Sequence, residues 1–196
     1  MKEHKTVFSK KILRFALSKY KEYKLKRVNL NSTNIQKRVK KLLSKARYAF
    51  VITQAAQQDG EPNTNCNARY VQPIIQWDNE NFTVWVGTSA KSRKITELTA
   101  NPNVTLAIGN DGAGANLIIQ GKATIHTDQA LRLKYWQPVW RLFFPEGPTG
   151  DDYVVISIEP LYLELMDISG NIVPEPFGLC SLKLTREEQQ WIPITD

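Results

Sequence analysis

FTVWVGTSAKSRKITELTANPNV, residues 82–104, sets how the rest of the chain is read. It opens on an alternation, Phe82, Val84 and Val86 against Thr83, Trp85 and Gly87, which predicts a strand with one buried face. A short polar loop follows from Thr88 to Lys91. A helix is predicted from about Ser92, ending at Asn101-Pro102, because a residue before proline is driven out of the helical region. Ser92, Arg93 and Lys94 thus fall in the first helical turn, directly after a strand. Backbone N–H groups there have no intrahelical partners, and the helix dipole makes that end electropositive. Acidic residues suit such a turn, so two cations conflict with the helix unless an anion joins them. A hydroxyl, a guanidinium, an ammonium and free N–H groups would converge on one phosphate. The plainer reading of these three residues taken alone is a solvated basic turn.

Upstream, Tyr48–Thr53 reads as a strand, Asp59-Gly60 as a hairpin turn, and Thr64–Gln76 as one second strand ending at the turn Asp78–Asn81. Before them, Asn31–Asn34 offers helix caps, and Ile35, Val39, Leu42 and Leu43 recur at helical spacing to about Lys45. Downstream, Val104–Ile108 and Asn116–His126 read as strands, with Gly121 marking a bulge or a close backbone approach. Asp128 caps a predicted helix running to about Phe144, stopped by Pro145, Gly147 and Pro148. Tyr153–Asp167 is the last long strand. The pattern predicts a mainly β (α+β) domain: a six-stranded antiparallel split β-barrel with flanking helices, over residues 32–168. A basic helical extension, 1–31, precedes it. A tail, 169–196, follows, in which Thr185 and Glu188 have the spacing of a capping box.

Charge is unevenly placed. Residues 1–47 carry 16 Lys and Arg against 2 Glu, and the remainder carries 10 against 17 acids, so +14 is followed by −7. The basicity belongs to the front of the chain, and the barrel itself is acidic, which argues against nucleic acid binding by the domain. Phe8, Ile12, Phe15, Ala16 and Tyr20 form a rough apolar stripe between lysines. Such a segment suits a membrane surface, nucleic acid or an acidic partner face. A solvated or loosely docked arm is the reading preferred from residues alone. Cys66 and Cys180 lack metal-ligand spacing, and His4 and His126 are too few for a histidine metal site, so no metal is expected. There is no apolar run long enough to cross a membrane and no secretory leader pattern. Two reduced cysteines fit the cytoplasm.

Four features fall in order: Arg69 within the stretch to Pro73, Thr88 with Ser92-Arg93-Lys94, Gly121-Lys122-Ala123 preceded by Asn116, and a segment with Trp136, Pro138, Trp140 and Phe144-Pro145. This order resembles the pyridoxamine 5'-phosphate oxidase-like superfamily of FMN-binding split barrels, and within it the general stress protein branch. The resemblance covers roughly residues 33–168. It implies FMN as cofactor, its phosphate held by Arg69, Ser92, Arg93 and Lys94. It implies that the backbone near Val71 passes the isoalloxazine edge and that Thr88 lies near the ring or ribityl chain. Asn116 falls where the oxidases carry a Gln that touches the flavin. A homodimer is implied, with the flavin at the interface and Trp136 or Trp140 walling the ring from the opposite subunit. The physical reading is compatible, since FMN needs cations at one end and apolar walls at the other. Trp136 and Trp140 at i, i+4 also suit one packed helix face. The implied function is a flavin-dependent oxidoreductase. The alternatives are a non-catalytic flavin-binding stress-response protein, or a split barrel holding haem or a deazaflavin. Ile74 stands where the oxidases carry a substrate-binding Lys, and the tail has no His, so vitamin B6 oxidation is not expected. No catalytic residue is assigned.

Overall fold

Alternating sequence becomes alternating burial in a single antiparallel sheet. The computed structural model describes residues 10, 12–19, 32–56, 65–110, 112, 114–170, 172 and 181–194. Helix α1 covers 12–19 and α2 covers Ser32–Lys45. Strands β1 (Ala49–Gln54), β2 (Cys66–Val71), β3 (Pro73–Asp78) and β4 (Asn81–Ser89) lead to helix α3 (Arg93–Ala100). Strands β5 (Asn103–Asn110) and β6 (Ala115–His126), helix α4 (Gln129–Lys134) and strands β7 (Tyr153–Asp167), β8 (Leu182–Glu187) and β9 (Gln190–Pro193) complete the order. Every named pairing is antiparallel, running β2-β1-β5-β6-β7-β4-β3, with β8 on β7 and β9 on β8.

The six-stranded split β-barrel expected from sequence is not what forms. The sheet has nine strands, and it does not close: β2 and β3, separated only by Gln72, stand at opposite ends of the path. The predicted strand 64–76 is therefore two strands with different partners, β2 on β1 and β3 on β4. Pro73 opens β3; it has no N–H to donate and a fixed φ, so a continuous ladder breaks there. The architecture is mixed α+β around a large open sheet.

Two more expectations change. The helix predicted over Asp128–Phe144 is short: Asp128 caps it by accepting from the Leu131 N–H at 3.0 Å, but α4 ends at Lys134. A 3-10 segment, Pro138–Leu142, follows. Pro138 lacks the amide hydrogen that would bond the Lys134 carbonyl, and its ring clashes there. The Thr185–Glu188 capping box is instead a hairpin: Thr185 lies in β8, and Glu188 takes φ 54° in the turn to β9. The tail thus extends the sheet. The Asp59-Gly60 turn, Cys180, His4 and most of the 1–31 extension lie outside the described residues.

The main core collects Ile35, Val39, Leu42 and Leu43 of α2, the inward faces of β1, β4, β5, β6 and β7, and Leu184 and Trp191 of the tail hairpin. Each fully buried aliphatic side chain there contributes about 1.5–3 kcal/mol. Gly121 sits at a register shift between β6 and β7, where a Cβ would overlap the Glu159 carbonyl, as the sequence suggested. A second cluster lies on the other face of β4 and β7: Trp85, Tyr135, Trp140, Tyr153 and Val155, covered by residues 129–150.

Candidate functional site

The cations of the opening stretch take different positions. Ser92 is the N-cap residue of α3 by backbone conformation, but its hydroxyl makes no capping bond. It accepts from the Lys94 ammonium at 3.2 Å instead. Lys94 also donates to Thr88 Oγ1 at 2.6 Å, and the two hydroxyls lie 3.4 Å apart. Thr88 is on the inward face of β4, so strand and helix bring all three together. Lys94 is 9% exposed, whereas Arg93, one residue earlier, points to solvent. The backbone N–H groups of Arg93 and Lys94 have no acceptor among the described residues.

A buried ion pair stands beside this group. Glu97, one turn along α3 and 4% exposed, is bound by the Arg69 guanidinium. Thr53 of β1 donates to the same carboxylate at 2.6 Å, and Asn67 of β2 at 2.8 Å. Arg69 further donates to Thr53 Oγ1 and the Asn67 carbonyl. So α3 ties the two halves of the open sheet together: Lys94 to β4, Glu97 to β1 and β2. Burial works to raise the Glu97 carboxyl, but hydrogen bonds from Thr53, Arg69 and Asn67 outweigh it and hold the group below its usual range. Lys94 is pushed below the usual lysine range, first by burial and then by the nearby Arg69 charge; Glu97 only partly offsets this.

Chemically, this is a desolvated cation whose hydrogen-bond partners among the described residues are neutral hydroxyls, next to two N–H groups without an acceptor among those residues. The carboxylate in range is already satisfied by other donors. The arrangement leaves one buried cation without a carboxylate of its own, and its donors are of the kind that bind a phosphate monoester.

The remaining candidates are placed as follows. Arg69 reaches the site, but its guanidinium is engaged by Glu97, so its contribution to an anion is mainly field. Val71 ends β2, half-buried. Asn116 lies at the far end of β6, opposite Gly109 and Met166, and no hydrogen bond among the described residues joins it to Lys94. Trp140 is buried in its own chain, donating to Gln72 at 3.2 Å, and Trp136 packs edge-on against Trp140 and Tyr153. Both serve the packed cluster here. Sequence reasoning missed Thr53, Asn67 and Glu97. The signal for Glu97 was there: Lys94, Glu97 and Leu98 share one face of α3, and Leu98 is buried. No group of three or more potential metal ligands occurs among the described residues. None of the described helices is long and apolar enough to cross a membrane.

The family model described as pyridoxamine 5'-phosphate oxidase like matches residues 34–188. The chain belongs to this family. Its span takes in nearly all of α2 and strands β1 to β8, and ends in the turn before β9, well beyond the last long strand. General stress protein 26 of Bacillus subtilis is 28% identical over 141 residues, covering 70% of this chain and 92% of its own. In fold, the chain is similar to a general stress protein 26-related protein of the pyridoxinephosphate oxidase family from Clostridium acetobutylicum, with TM-score 0.63, 16% identity, and 80% and 96% of the two chains covered. It is also similar to a pyridoxamine 5'-phosphate oxidase-related, FMN binding protein from Nostoc punctiforme, with TM-score 0.53, 14% identity, and 86% and 99% covered. The matched span includes the β4–α3 junction that carries Lys94.

Proposed function

We propose that this family member binds FMN through its phosphate at the Thr88–Ser92–Lys94 site and acts as a flavin-dependent oxidoreductase on a small molecule. The observation that carries the reading is the buried Lys94 ammonium, partnered only by hydroxyls among the described residues. The name of the Nostoc relative, an FMN binding protein, supports the choice of anion. Bound FMN supplies the redox chemistry. Lys94 and the α3 N–H groups would hold its phosphate, and Arg93 would contribute from the solvent side. Arg69 is locked by Glu97, so it steadies the field instead of gripping the ligand.

We further propose a homodimer with the flavin between subunits. A phosphate cradle on one chain leaves the ring needing an apolar cover. Exposed apolar surface supports this: Tyr48 and Tyr70 stack at 4.8 Å beside Phe50, all three exposed, and Leu142 and Phe143 are 80% and 72% exposed.

The test is the absorption spectrum of protein purified without added cofactor, followed by reduction with a nicotinamide donor. A flavin spectrum, and turnover with an electron acceptor, are expected. A haem spectrum would overturn the cofactor reading. Flavin without turnover under any donor would leave a binding protein and overturn the oxidoreductase reading. Sedimentation with flavin bound checks assembly; a monomer with flavin fully bound would refute the dimer.

A further inference from the structure

The FMN reading leaves α1 unused. Its apolar residues Ile12, Leu13, Phe15 and Leu17 are 55%, 59%, 66% and 49% exposed. At about 100° per residue, these four and Ala16 cover an arc of roughly 200°. Lys10, Arg14 and Ser18, also exposed, occupy the remaining face. Lys19 falls inside the apolar arc at the C-terminal end, where its stem can lie along an apolar layer with the ammonium at the polar boundary. A soluble helix that presents so much apolar surface needs cover.

The charge says what kind. Residues 1–30 hold 10 Lys and Arg against 2 Glu, a net +8. The occupant must be anionic at its surface and apolar just beneath it. Nucleic acid meets the first condition and leaves the apolar arc in water. The exposed apolar residues of a second copy, Tyr48, Phe50, Tyr70, Leu142 and Phe143, are the ones the proposed dimer interface would cover. An anionic lipid surface meets both, because lysines sit among headgroups while Phe and Leu enter the acyl boundary. We propose that α1 is an amphipathic anchor that docks this protein reversibly on anionic membranes, lying in the interface plane. This goes beyond the flavin reading and does not depend on it.

The test is flotation of the full chain with vesicles of phosphatidylcholine alone and of phosphatidylcholine with roughly one third phosphatidylglycerol. Binding is expected only to the anionic vesicles. It should fall sharply between about 0.1 M and about 1 M salt, as the screening length shrinks from about 10 Å to about 3 Å. Leu13→Ser with Phe15→Ser, and separately Lys10→Glu with Arg14→Glu, should each weaken binding at least about tenfold. All four residues are exposed, so thermal unfolding should stay unchanged and confirm intact variants. Absence of binding to anionic vesicles would overturn the proposal. So would charge-only dependence, with the serine variant binding normally. Tighter binding to duplex DNA or RNA than to anionic vesicles, insensitive to the serine changes, would also overturn it in favour of a nucleic acid arm.

Discussion

Lys94→Met separates the phosphate cradle from its bland alternatives more sharply than any other change. Methionine keeps an unbranched stem of similar length in a site only 9% open to solvent and removes the charge. A charge-assisted hydrogen bond contributes about 1.5–3 kcal/mol, so FMN affinity should drop about tenfold to a hundredfold. Arg93 is exposed, and an exposed ion pair is worth about 0–1 kcal/mol, so Arg93→Ala should cost no more than about fivefold. Both residues stand in the first turn of α3, so a general loss of dipole or helix would affect them alike. Riboflavin has no phosphate, and its affinity should barely move in either variant. The assay is titration of flavin-free protein with FMN and with riboflavin, for wild type and both variants. Equal losses for the two ligands would mean that Lys94 supports the fold of the loop. A larger loss for Arg93→Ala than for Lys94→Met would refute the reasoning from burial.

Further outcomes concern Lys94, Glu97 and Gly87. The depressed Lys94 pKa means that FMN affinity should fall as pH rises through that value, below the ordinary 10.5, and Lys94→Met should abolish the step. The flavin-free protein should instead gain stability over that range, because the unfolded chain binds this proton more tightly; denaturant melts against pH check the sign. Glu97→Ala strands the Arg69 guanidinium and should cost about 3–5 kcal/mol in urea unfolding. With Glu97 intact, its stabilisation is present above the unfolded carboxyl value and lost as pH falls through the depressed folded value, a step Glu97→Gln should remove. Gly87→Ala places a Cβ on the Trp140 ring and should destabilise by about 1–3 kcal/mol in thermal unfolding, with loss of near-UV circular dichroism from the aromatic cluster.

Strand identity was legible because burial on one face leaves a period of two. Phe82, Val84 and Val86 announced β4, and all three are fully inside. Closure was not legible, because nothing local in Val71, Gln72 and Pro73 states which strand each half will join. That choice is made by partners at long range: β2 joins β1, and β3 joins β4. The 3-10 ending after α4 could be read from Pro138, yet the apolar spacing of Trp136 and Trp140 pointed to a continuous helix. The tail failed for another reason. Leu182, Leu184 and Trp191 alternate as a hairpin would, but the Thr185-to-Glu188 spacing offered a competing local pattern, and packing against β7 and α2 decided between them. In the site, Ser92 and Lys94 were visible as a local rule broken. Glu97 could be placed on the buried face of α3 with Lys94 and Leu98, but its partners were hidden, since Thr53 and Asn67 arrive from strands far away in the chain.

The pairing within the cluster argues for a ligand more strongly than the count of its charges. Lys94 and Glu97 are three residues apart on one helix, a spacing at which opposite charges readily meet. A fold that needed only to neutralise a buried lysine would close that pair. Here the carboxylate is taken by Arg69, Thr53 and Asn67, and Lys94 turns to Thr88 and Ser92. Burial and the Arg69 field both work against its charge. Leaving a cation in that position costs stability, and within the described residues the fold compensates it only with two neutral hydroxyls and part of the Glu97 field. An anion arriving at the start of α3 relieves the lysine and the two unpaired N–H groups in one step, whereas a mutation that brought Lys94 and Glu97 together would relieve the strain and lose the site.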